Sequence, residues 1–183
     1  DIELGNVDLV MNRFDSLPQS LHLSVLWKDD FSCVMRNDNP LRKDFDFDKY
    51  LKANHVWVNK TGMGVATGVN PDDIQKLGWV DIALDELGAK RKIAVFTRHY
   101  ISAIQLTQQQ DLIATVATRS THLVKHFEDL AILPAPFAIP SIELHMVWSP
   151  LLHHNIAHRW FRNVIRDVAN EIKAEEEAAA KAG

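Results

Sequence analysis

The chain has 183 residues, 46% hydrophobic and 24% charged, with a net charge of -4. That is enough for one large domain or two small lobes with a real core, and the acidic balance makes the chain by itself a poor candidate for nucleic-acid contact, with a local basic face left open. The single cysteine, Cys33, excludes a disulfide framework, and no apolar run approaches the roughly 20 residues that span a bilayer. The start, Asp-Ile-Glu-Leu, carries no basic or apolar secretory region, so the expected compartment is the cytoplasm unless a leader has been removed.

Taken in chain order, Asp1 to Leu4 read as the tail of a helix stopped at Gly5. Asp8 to Asn12 reads as a short strand. Leu21 to Lys28 and Phe31 to Arg36 read as two more, divided by the turn-prone Asp29-Asp30. Asp48 to Ala53 predicts a short helix and His55 to Asn59 a strand. Thr61 to Pro71 is a loop holding Gly62, Gly64 and Gly68. The dinucleotide fingerprint needs G-x-G-x-x-G opening directly into a helix, so these glycines serve loop geometry.

Val80 to Leu87 predicts a helix ending at Gly88, and Lys92 to Phe96 a strand. Tyr100 to Thr107 is helical, Asp111 to Val116 a strand, Ser120 to Phe127 a helix and Ala131 to Leu133 a strand. Pro134, Pro136 and Pro140 make a fixed, extended connector before the strand Ile142 to Trp148. The last helix begins near Asn155. Its apolar stripe, Ile156, Trp160, Val164, Val168 and Ile172, marks one face, with Trp160 expected in the core. Arg159, Arg162 and Arg166 lie on another face, expected to be solvated or at an interface.

Alternating strands and helices argue for an α/β fold. Two extended connectors, Asp48 to Asn59 and Pro134 to Ile142, divide the chain. The expected outer lobe is 1–55 plus 141–183 and the inserted inner lobe 56–140, with a hinge at His55 to Asn59 and Pro140 to Trp148. Two crossings between two lobes make a hinge with a cleft suited to a small ligand.

Four stretches resemble one family, the effector-binding domain of LysR-type transcription regulators. They are LGNVDLVMN (Leu4 to Asn12), MRNDNPL (Met35 to Leu41), LDELGAKRKIAV (Leu84 to Val95) and VWSPLLHHNIAHRWFR (Val147 to Arg162). Asn39, Ser149 and Asn155 stand where the family has His, His and Asp. The stretch Arg98 to Arg119 is similar to the branch of nodulation regulators and regulators of aromatic-compound degradation, with Arg98 and Ala117 in place of prolines. The resemblance spans Asp1 to Asp167. It implies two Rossmann-like lobes joined by a two-stranded hinge, of periplasmic-binding-protein type II. It also implies a cleft effector, a winged helix-turn-helix upstream that reads DNA, and homodimers or homotetramers. The first strand and helix of the outer lobe, roughly 30 to 40 residues, are expected upstream of this chain, because a doubly wound lobe lacking them exposes a bare strand edge and an unfilled core.

Open α/β sheets bind ligands at the carboxyl ends of strands. Arg13 and Phe14 follow the first strand, and an arginine there pairs bidentately with a carboxylate or serves as a plain surface cation. Thr97, Arg98, His99 and Tyr100 follow the KIAVF strand. The resemblance turns Asn59, Lys60 and Thr61 toward the cleft and places His99 at the effector pocket, against the alternatives of a polar loop and a structural histidine. A histidine beside an aromatic ring suits an aromatic acid. Trp148, in the second hinge stretch, completes the candidate effector set.

His153, His154 and His158 invite a metal reading because 154 and 158 stand at i, i+4, but a zinc site wants a third ligand and a nearby carboxylate and the HExxH pattern is absent, so no metal is expected, and no cofactor. Cys33 sits in an apolar run and reads as inert. No G-x-S-x-G elbow or acid/base cluster accompanies His99, which argues against an enzyme. The resulting expectation is a cytoplasmic sensing domain that binds an aromatic or other organic acid and shifts the DNA-binding arrangement of an oligomer. A solute-binding protein of a transport system, with the same two-lobed fold, is the alternative.

Overall fold

The computed structural model describes residues 2–14, 16–58, 78–124 and 129–182. They form two compact units, Asp1–Asp29 with Ile142–Gly183, and Asp30–Ser141.

The first unit is a three-stranded antiparallel sheet with one long helix. Strand β8 (Ile142–Trp148) lies between β1 (Leu9–Asn12) and β2 (His22–Asp29). Trp148 stands opposite both Leu9 and His22, and Met146 opposite Met11 and Ser24. A bulge between Val25 and Trp27 inserts an extra residue into β2, so Leu26 turns into the core. Helix α4 (Ile156–Ala182) opens where Asn155 Oδ1 accepts the His158 amide at 3.0 Å, a cap that Asn supplies as well as the family's Asp. The core is Leu26, Met146, Trp148 and Ala169, flanked by Leu9, Leu144 and Ile165.

The helix presents to this core a different face from the one its apolar stripe predicts. His158, Arg162 and Ala169 are buried, while Trp160 is 66% exposed and Ile156 77%. Small Ala169 lets the helix approach the sheet. His158 Nε2 meets the Asp8 carbonyl at 3.0 Å, and Arg162 donates to the carbonyls of Leu152 and His153. These bonds satisfy the polar groups and fix the rotation. Trp160 is therefore not a core residue, and Arg162 is not on a solvated face.

The second unit is a five-stranded mixed sheet in the order β5-β4-β6-β3-β7. Its strands are β3 (Phe31–Arg36), β4 (Asn54–Val58), β5 (Lys92–Thr97), β6 (Leu112–Ala117) and β7 (Leu130–Pro134). β4 runs parallel to β5 and β6, while β3 is antiparallel to β6 and β7. Every residue of β6, the middle strand of the five, is buried, as a strand covered on both faces requires. The edge strand β5 alternates exposed and half-buried residues. Three helices accompany the sheet: α1 (Phe47–Lys52), α2 (Trp79–Glu86) and α3 (Tyr100–Gln109). Ala103 and Ile104 of α3 pack on Val34, Val56, Ala114 and Val116.

The division of the chain differs from the expected one at its first crossing. Residues 30–55, expected in the outer lobe, are built into the second unit. β3 pairs with β6 and β7, and Tyr50 of α1 is buried with its hydroxyl 2.9 Å from Thr115 Oγ1. The expected hinge stretch from His55 forms β4, an interior strand flanked by β5 and β6. Residues 2–5 form a turn rather than a helix tail, with Gly5 at φ +72°, where a side chain would be strained. The helix expected from Ser120 is a 3-10 helix, Thr118–Val124. Residues 125–127 and the glycine loop Thr61 to Pro71 lie outside the described residues.

Candidate functional site

Parallel pairing brings two of the predicted segments to one end of the second unit's sheet. Val58 stands opposite Thr97, so the chain leaves β4 and β5 at the same sheet end. Asn59, Lys60 and Thr61, which follow β4, lie outside the described residues. After β5 the chain turns within two residues into α3. His99 is extended (φ -131°, ψ 132°) and is the residue before the helix, with no side chain capping it. Its amide donates to Thr97 Oγ1 at 3.4 Å. Arg98 and His99 are exposed, and Tyr100 is half-buried against the α3 core. A guanidinium, an imidazole and the positive end of a ten-residue helix therefore share one strand end. That combination suits a carboxylate.

Beside this end lies a cavity of about 30 Å³, lined by Phe31, Trp57, Trp79, Arg91, Tyr100 and Thr115. It has room for a water molecule or two, and an aromatic acid does not fit inside it. Its wall is held by Arg91, whose Nε and Nη2 donate to the two carboxylate oxygens of Asp81 at 2.8 and 2.6 Å. The sequence reading singled out neither residue. Arg91 lies inside one of the family-like stretches, and only the fold shows Asp81 beside it.

Arg13, Phe14 and Trp148 belong to the first unit. Arg13 Nη2 donates to Asp29 Oδ2 at 3.2 Å, and its buried Nε has no partner among the described residues. Phe14 packs near His145, ring centres 6.4 Å apart. His145 is a third residue that the sequence did not single out. Its Nε2 lies 3.2 Å from Glu143 Oε2, and its buried Nδ1 has no partner among the described residues. The signal was the register that sets His145 opposite Asn12, which pairing alone reveals. Trp148 is in the core. Its Nε1 donates to His153 Nδ1 at 3.3 Å, and the Arg162 guanidinium lies 4.6 Å over its ring. Among the described residues no group of three His, Cys, Asp or Glu could hold a metal ion.

No family model matches the chain. Among curated proteins, it is 26% identical over 168 residues to the HTH-type transcriptional activator NahR of Pseudomonas putida, covering 91% of this chain and 52% of that one. It is 25% identical over 170 residues to the HTH-type transcriptional regulator SyrM of Rhizobium meliloti, covering 92% and 49%. Its homologues are LysR-type transcription regulators. The chain spans about half the length of the curated LysR-type relatives it matches.

Solved structures give the same fold. A transcriptional regulator from Vibrio parahaemolyticus superposes with a TM-score of 0.75 at 22% identity, over 96% of this chain and 76% of that one. The effector-binding domain of QuiR in complex with shikimate gives 0.68 at 13% identity, over 93% and 76%. The BenM effector-binding domain with its effector benzoate gives 0.67 at 15%, over 96% and 73%. The fold is that of LysR effector-binding domains, the type II periplasmic-binding-like fold, as the motif order implied. The homologues are regulators and not enzymes, and no described helix is long and apolar enough to cross a membrane.

Proposed function

We propose that this chain is the sensing part of a bacterial LysR-type regulator, and that its effector is an aromatic or other organic acid. The observation that carries this is the β5–α3 strand end. Arg98 and His99 are exposed there, next to the helix start that no side chain caps, and Tyr100 is half-buried. Two structural neighbours are named for complexes with benzoate and shikimate, both carboxylates on six-membered rings. In this reading His99 and Arg98 hold the carboxylate, and Asn59, Lys60 and Thr61 belong to the effector-binding set. The regulator works in the cytoplasm, as a homodimer or homotetramer, and reads DNA through a domain outside this chain. Effector binding favours one arrangement of the oligomer by differential affinity.

The test is thermal shift and calorimetry of the chain against benzoate, hydroxybenzoates and shikimate. A ligand at a hundredfold excess over its Kd stabilises by about 2.7 kcal/mol, which raises Tm by roughly 5–10 °C. His99→Ala, an exposed position, is expected to abolish the shift while leaving the ligand-free Tm unchanged. Absence of any shift across the acid panel, in a cooperatively folded sample, overturns the reading.

A further inference from the structure

The first unit holds a cavity of about 610 Å³ that shares only Trp148 with the candidate effector set. Its lining includes His22, His153 and His154, the three arginines Arg159, Arg162 and Arg166, and Trp148. No aspartate or glutamate lines it. Arg162 is the telling residue. It is 4% exposed, and its hydrogen bonds go to the carbonyls of Leu152 and His153 and to His158 Nδ1, with none to a carboxylate among the described residues. Buried charges are normally paired. The surrounding groups repel instead. Burial, then Arg166 and Arg159, lower the Arg162 pKa, and burial, then His22, His154 and Arg162, lower that of His153.

We propose that this cavity is a binding site for a phosphoryl oxyanion, free or carried by a small metabolite. The volume lies in the range of small-molecule sites, roughly 300–1,000 Å³. Three guanidiniums exceed what one carboxylate neutralises, while a phosphoryl group carries more charge and matches the arginine fork. Arg159 and Arg166 are two helical turns apart on one side of α4, and Arg166 is steadied by Asn163 Oδ1 at 3.2 Å. The exposed pair can close on an anion that rests above Arg162. The site is independent of the proposed effector site.

Calorimetric titration of the 183-residue chain with sodium pyrophosphate at fixed ionic strength tests this. One saturable site is expected. The double variant Arg159→Gln/Arg166→Gln should bind at least tenfold more weakly with an unchanged melting temperature, because both side chains are exposed. Adenosine diphosphate binding more tightly than pyrophosphate assigns the phosphorylated metabolite, and the reverse assigns the free anion. His99→Ala should leave pyrophosphate binding intact, which separates this result from the fate of the effector reading. The proposal is overturned by the absence of saturable binding or by equal affinity in the double variant. Citrate binding as tight as pyrophosphate, or a short DNA duplex outcompeting it, also overturns it.

Discussion

His55 is held far from its chemistry in water. It is fully buried, its Nε2 donates to the Tyr50 carbonyl at 2.7 Å, and its ring packs 4.4 Å from the Tyr50 ring. Burial first, then the charge of Arg91, push its pKa down to about 3. An unfolded histidine titrates near 6.5, so between these values the unfolded chain binds the extra proton. The stability contributed by neutral His55 is therefore full above about pH 6.5 and is lost as pH falls toward 3. From pH 6.5 to pH 5 this amounts to roughly 2 kcal/mol. Urea melts at the two pH values should show that loss, and His55→Gln should flatten it. An equal slope in the variant would assign the effect to other groups. The sequence showed a β-rich HVWVN segment but not this role, because the partner, the Tyr50 carbonyl, comes from α1. Cys33 was legible: an apolar run of a central strand predicts an inert thiol, and burial raises its pKa to about 12.

Among the elements, α4 shows what periodicity does and does not decide. A stripe at helical spacing gives a helix and nearly its first residue. It does not give the rotation, which is set by what the sheet offers. Here the sheet offers a shallow apolar surface that accepts Ala169, and the Asp8, Leu152 and His153 carbonyls claim His158 and Arg162. Trp160→Lys should accordingly change stability by no more than about 0.5 kcal/mol. Ala169→Leu should cost about 1–3 kcal/mol by overpacking against Met146 and Trp148. Chemical denaturation of the two variants checks both values. A loss of about 3–5 kcal/mol at Trp160, as for a core tryptophan, would refute the observed rotation.

For the whole molecule, the α/β class, the order of the elements and the family were legible, because alternating apolar runs and four ordered motifs are local signals. The division into units was not. β3 joins β6 and β7 across sequence gaps of about 80 and 100 residues, and no local pattern announces such a pairing. The position of Thr97 to Tyr100 at a strand end was legible for the same reason that β5 was: these residues are contiguous. The basic cavity was not, since it gathers β2, the turn after β8 and α4. The contacts of the second unit predict that a fragment spanning 30–141 folds alone, with a cooperative melt and the near-ultraviolet dichroism of packed aromatics. A fragment without a cooperative transition would show that this unit depends on the rest of the chain.

One small contact gives that fragment a further meaning. Within the first unit Asp29 stands opposite Ile142, and within the second Ser141 Oγ donates to Asp30 Oδ1 at 2.6 Å. The chain thus leaves one sheet and returns to it at neighbouring positions, with the two ends of the inserted segment pinned to each other. A segment with adjoining ends costs its host little closure entropy, whatever its length. It behaves as a cassette: a stretch of gene that can be exchanged between hosts at one locus, leaving the host sheet's hydrogen bonds in register.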